Sequence, residues 1–108
     1  MERIETTAIR NLIHNEEYCR KVLPFIKEEY FIDRLEKLIF TEIYKFVNKY
    51  NNLPTKESLS IEMNTNKGVS EDEYKRMNEI ISSLNPEPIN LDWLVETTEV
   101  WCKDRAIH

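Results

Sequence analysis

Residues 33–50 read DRLEKLIFTEIYKFVNKY, and their spacing decides the fold. Leu35, Ile39, Ile43, Phe46 and Tyr50 recur at intervals of three or four, with Phe40, Tyr44 and Val47 on an adjoining stripe. At 3.6 residues per turn such positions share one side of an α-helix, whereas a half-buried strand requires strict alternation. A face this wide predicts a helix at the centre of the core.

The same periodicity extends outward in both directions. Ile4, Ala8 and Leu12, with Ile9 and Ile13 beside them, predict an amphipathic helix over about residues 2–13. Asn15 can cap the next helix, over 16–23, whose Glu16 and Glu17 complement the positive end of the helix dipole. Pro24 ends it, because proline lacks a backbone donor and restricts Leu23. Phe25, Ile26, Tyr30 and Phe31 then form an aromatic-rich connector.

Downstream of the central helix, Asn51-Asn52-Leu53-Pro54 breaks the pattern, and Thr55 with Ser58 opens a short helix carrying Leu59 and Met63. Residues 65–69 are a polar loop around Gly68. Ser70 followed by Glu73 is a capping box leading into Tyr74, Met77, Ile81 and Leu84. Asn85-Pro86-Glu87-Pro88 is a stiff extended connector, and a last helix begins near Asn90 or Asp92. With one glycine, four prolines and no alternating β-branched runs, the chain is expected to be all-α: a compact orthogonal bundle of about five or six helices in one domain.

Composition limits the function. Lys and Arg number 15 against 20 Asp and Glu, giving a net charge of −5, all of it in residues 53–108. Since Gly68 is the only glycine, neither GxGxxG nor GxxxxGK[ST] occurs, and the chain holds no self-contained phosphate-cradling loop. Charged residues interrupt every apolar run, and there is no basic head followed by an apolar centre, so a soluble, cytoplasmic protein is expected. Cys19 and Cys102 are too few and too far apart for a disulfide scaffold.

The last helix has two apolar sides. Leu91, Leu94, Val95, Thr98, Cys102 and Ala106 share one, with Trp101 at its margin, and this side is assigned to the core. Trp93, Val100 and Ile107 lie opposite at intervals of seven, the spacing of a seam packed on another helix, flanked by Glu96, Glu99, Lys103 and Asp104. Trp93, Val100, Ile107 and Trp101 are therefore the candidate interface residues. The other reading places Trp93 and Val100 in the core and Ile107 in a frayed end. Arg105 to His108 contain no capping glycine or proline, from which a fragment of a longer protein is expected.

No catalytic constellation emerges. The spacings of His14, Cys19, Cys102 and His108 do not put pairs on one helical face as a zinc site requires. The acidic runs Glu16-Glu17, Glu28-Glu29 and Glu71-Asp72-Glu73 occupy first helical turns, where they complement the dipole. No serine or cysteine has a nucleophile's surroundings. No catalytic residue, metal ligand or cofactor-binding residue is assigned. Residues 53–84 mimic a helix-turn-helix, but the second helix opens on Ser70-Glu71-Asp72-Glu73, which would repel phosphates, with only Lys75 and Arg76 against them. Little or no direct DNA binding is expected.

The order of segments resembles the N-terminal domain of DnaB-type replicative helicases, particularly the primase-helicase subunits of T-even-type phages. The resemblance rests on Ala8-Ile9-Arg10-Asn11-Leu12-Ile13 with Tyr18 to Val22, on Glu29-Tyr30-Phe31, and on Leu38-Ile39-Phe40 through Ile43 and Val47. It continues through Asn52-Leu53-Pro54-Thr55 with Leu59 and Met63, and through Trp93-Leu94-Val95-Glu96-Thr97 to Arg105-Ala106. Departures are Asn52 where the family's turn has glycine, the reversed order at Tyr30-Phe31, and a helical hairpin cut after its first turns.

The resemblance implies a globular head over 1–90 and, over 91–108, the start of a hairpin helix packed on it. It also implies a non-catalytic assembly and primase-docking role in a hexameric helicase, with sister subunits and primase as partners in a phage-infected bacterial cell. ATP and Mg would be used only by an ATPase domain elsewhere in the parent protein. The alternative is a stand-alone helical regulator or adaptor with nucleic acid as its partner through the 53–84 helix pair.

Overall fold

The computed structural model describes residues 2–107. Among them are six α-helices and one 3-10 turn: α1 (Ile4–His14), α2 (Glu16–Val22), the 3-10 turn (Glu28–Tyr30), α3 (Arg34–Tyr50), α4 (Lys56–Asn64), α5 (Glu71–Ser83) and α6 (Leu91–Ile107). No strand occurs among the described residues. The all-α reading holds, with radius of gyration 13.2 Å.

The helix starts follow local chemistry. The Asn15 side chain accepts from the Tyr18 amide, and Asp33 accepts from the Glu36 amide. Thr55 with Ser58 and Ser70 with Glu73 form reciprocal capping boxes. The Asn90 side chain accepts from the Trp93 amide and sets the start of α6. At the end of α3, Asn51 takes a left-handed conformation, φ 54°, which asparagine tolerates better than most residues. Arg20 holds it there by donating to its side-chain and main-chain oxygens at 3.0 and 2.9 Å.

The architecture is built around α3. It packs against α1, the 3-10 turn, α4 and α5, while α6 lies across α1, α2 and the 3-10 turn on another side. Leu35, Ile39, Phe40, Ile43 and Val47 are buried as expected. Phe46 is only half-buried, and Tyr44 and Tyr50 are exposed, so the apolar face of α3 is wider than the partners available to cover it. The aromatic connector is not wholly irregular, because Glu28–Tyr30 makes a 3-10 turn that brings Tyr30 and Phe31 into the core.

Long-range polar ties close the bundle. Arg10 donates to the Asn85 carbonyl at 3.0 Å and pairs with Glu2. Arg3 meets Glu36 at 2.6 Å, and Arg105 meets Glu5 at 3.2 Å, joining the two ends of the chain's helical order. The Tyr18 hydroxyl lies 2.7 Å from Thr98 Oγ1, fully buried. Thr98 already donates its single proton to the Leu94 carbonyl at 2.7 Å, so Tyr18 is the donor in this pair.

That assignment makes the two partners unequal. Thr98→Val strands a buried phenol without an acceptor and is expected to cost about 1–3 kcal/mol, whereas Tyr18→Phe costs less because Thr98 keeps its bond to Leu94. Urea unfolding of both single variants and the double variant checks this. A double variant no more stable than Thr98→Val alone would show that the tie contributes nothing.

Candidate functional site on the last helix

α6 is docked by one face. Leu94, Thr98, Trp101 and Cys102 are buried, while Leu91 and Val95 are half-buried at its edge. The Trp101 ring stands edge-on to Phe31 at 5.1 Å and to Tyr30 at 6.3 Å, and Phe31 stacks on Phe40 of α3 at 5.0 Å. Such pairs add to the stabilisation from area burial and favour a particular orientation. The rotation of α6 about its axis is thereby set.

The opposite face is left uncovered. Trp93 is 53% exposed, Val100 67% and Ile107 80%. The alternative that placed Trp93 and Val100 in the core is therefore incorrect: no earlier helix reaches that side. The helix runs through Ile107, and His108 lies outside the described residues. Ala106, assigned to the core side, is exposed, at the rim of an open cleft that it shares with Phe25 and Tyr30.

Trp101 needs a correction as a candidate interface residue. It is 7% exposed and belongs to the chain's own core, since its position turns the indole toward the 3-10 segment instead of outward. The structure thus separates the four candidates: Trp93, Val100 and Ile107 share the exposed face, and Trp101 does not. Around the exposed row, Glu96, Glu99, Lys103 and Asp104 are all exposed, giving an apolar strip with charged margins.

The other groups weighed from the sequence stay apart. The exposed His14 donates from Nε2 to the Leu84 carbonyl at 2.6 Å, tying α1 to the end of α5. Cys19 and Cys102 are buried free thiols, pushed up by desolvation to about 11 and about 12 respectively. No group of three His, Cys, Asp or Glu among the described residues is arranged to hold a metal ion.

In the 53–84 pair, Arg34 meets Glu73 at 2.8 Å and holds its carboxyl below the ordinary carboxylate range. Arg76 is engaged by Asp72 at 3.1 Å, which leaves Lys75 to oppose the acids at the start of α5. An open groove of about 1040 Å³ runs between α4 and α5, with Met63, Val69 and Tyr74 among its lining and Glu71, Lys75 and Glu79 also present. Sequence reasoning did not find this groove, because it forms where the end of α4 and the following loop lie beside α5.

No family model matches the chain. Over 99 residues, 92% of its length, it is 32% identical to the DnaB-like replicative helicase of Enterobacteria phage T4. The chain is related to a replicative helicase. It spans 21% of that relative's length, the size of one domain within a longer protein. The likeness agrees with the family resemblance read from the sequence. Among the described residues no helix is long and apolar enough to cross a membrane.

Two measurements test this division of the site. Trp101→Ala is expected to lower stability by about 3–5 kcal/mol, the range for emptying a buried aromatic site, and Trp93→Ala to change it by less than about 0.5 kcal/mol. Thermal unfolding of the two variants reads the contrast, and comparable losses would contradict the burial pattern. For the thiols, alkylation of the native chain near pH 8 should be slow at both cysteines and rise only at strongly alkaline pH, since the thiolate is the nucleophile. Rapid modification of the folded chain at pH 8 would show that the cysteines are accessible.

Proposed function

We propose that this chain is a non-catalytic assembly and docking domain of a hexameric replicative DNA helicase, lying on the N-terminal side of the motor. Residues 1–90 form the head, and 91–108 begin a hairpin helix that meets a neighbouring subunit. Sister subunits and primase are the partners. ATP and Mg are used by an ATPase domain elsewhere in the parent protein, since the sequence has a single glycine and no phosphate loop.

The observation that carries this reading is the exposed row Trp93, Val100 and Ile107 on a helix whose other face is already buried. An apolar strip with a charged rim is the common composition of a protein interface, and a large aromatic such as Trp93 is a frequent anchor. The likeness to a replicative helicase supports the setting in DNA replication. The acidic start of α5, with Arg76 and Arg34 already engaged, speaks against the reading as a DNA-binding regulator through residues 53–84.

Trp93→Ala in the full-length protein that carries this domain is expected to weaken subunit association by about 2 kcal/mol, roughly thirtyfold in Kd, with the melting temperature of the domain unchanged. Sedimentation equilibrium of wild type and variant reads the difference. Equal dissociation constants would remove α6 from the assembly surface. A parent gene that ends at the codon for His108, with no GxxxxGK[ST] sequence beyond it, would overturn the helicase reading itself.

A further inference from the structure

The C-terminal half of α3 differs in chemistry from the rest of this acidic chain. Between Glu42 and Glu57 there is no acidic residue, the longest such interval in the sequence, and it contains Lys45, Lys49 and Lys56 together with Tyr44, Phe46 and Tyr50. Charge and aromaticity are interleaved there in the way that single-stranded nucleic acid sites combine phosphate contacts with stacking.

The fold places these side chains usefully. The Phe46 and Tyr50 rings lie 4.7 Å apart at 51°, and Lys49 Nζ is 5.3 Å from the Tyr50 ring centre. Tyr50 is 48% exposed and Tyr44 43% exposed, an unusual state for two aromatics on the central core helix. A cleft of about 350 Å³ between α3 and the end of α4 is bounded by Phe46, Lys49 and Tyr50 on one side and by Thr65 and Asn66 on the other. Glu42 also lines it but is neutralised by Lys45 at 3.0 Å, leaving Glu62 as the acid on its rim. Arg20, bound to Asn51 at the end of α3, lines a separate cleft with Tyr44, Val47 and Asn48.

We propose that this end of α3 binds single-stranded nucleic acid, with an unstacked base on the Phe46–Tyr50 pair and an adjacent phosphate at Lys49. Every base has a π-face, so the platform is tolerant of sequence, and a duplex keeps its bases stacked inside and cannot use it. The surface is separate from α5, whose acids led to the expectation of little DNA binding. It is also independent of the α6 face assigned above to subunit contact. With one phosphate neutralised, the logarithm of affinity should fall with the logarithm of salt at a slope of roughly −0.7.

Fluorescence anisotropy of a short labelled oligothymidylate, titrated with the full chain at low ionic strength, tests the proposal. Binding is expected, with Lys49→Glu and Tyr50→Ala each weakening it about tenfold while leaving the thermal unfolding curve in place. Lys75→Glu on α5 should leave binding unchanged, and a duplex of equal length should bind more weakly. The proposal is overturned by no rise in anisotropy, by equal affinity in the Lys49 and Tyr50 variants, by a duplex bound as tightly, or by loss of binding in Lys75→Glu.

Discussion

The seating of Trp101 against Phe31 and Tyr30 is the contact on which the functional surface depends. Phe31 is itself stacked on Phe40, so the indole is coupled through one aromatic chain to the central helix. A helix has a fixed angular relation between its faces, so holding Leu94, Thr98, Trp101 and Cys102 inward turns Trp93, Val100 and Ile107 outward. Any rotation of α6 that covered Trp93 would withdraw Trp101 from its pocket. The exposed strip is thus a consequence of core packing and not a local property of the strip.

Charges reinforce the same arrangement at a cost. Glu5, Arg10, Glu36 and Glu42 are all buried, and each has an opposite charge: Arg105, Glu2, Arg3 and Lys45 respectively. Burial of an ion is unfavourable unless it is paired, so these contacts act more as orientation devices than as sources of stability. The Glu5 pair fastens the last turns of α6 to α1, and the Arg10 bond to the Asn85 carbonyl fixes where the 85–90 connector leaves the head. Glu36 Oε1, Trp101 Nε1 and Arg105 Nε are buried without protein partners, and two of the three belong to α6.

The proposed docking role rests on the surface the chain presents. Its sequence has no phosphate loop, and three of its exposed large apolar residues, Trp93, Val100 and Ile107, lie on one helix face. A docking domain needs a rigid scaffold and an exposed strip, and both are present, whereas a motor needs backbone that approaches phosphate closely. The similarity to a helicase over 92% of the chain but 21% of the relative fits a module that works with chemistry located elsewhere. The end of α3 around Lys49 and Tyr50 offers a second surface of different chemistry, ten residues beyond the Phe40 that backs the Trp101 site.

Much of this was legible before the fold was known. Helix starts are short-range events, so Asn15, the Thr55–Ser58 pair, the Ser70–Glu73 pair and Asn90 marked their positions within a few residues of sequence. Periodicity likewise determined that the chain is all-helical and that α6 has two apolar sides, because 3.6-residue geometry is intrinsic to the backbone. Which side of α6 is covered, that Trp101 is core and Trp93 is surface, and that Tyr44 and Tyr50 remain exposed were decided only by tertiary structure. Those outcomes depend on how far neighbouring helices reach, and partners such as Glu5 and Arg105, 100 residues apart, leave no periodic trace in sequence. Local chemistry specifies where helices begin and which faces are apolar. Three-dimensional packing alone chooses among apolar faces when a chain has more of them than its core can cover.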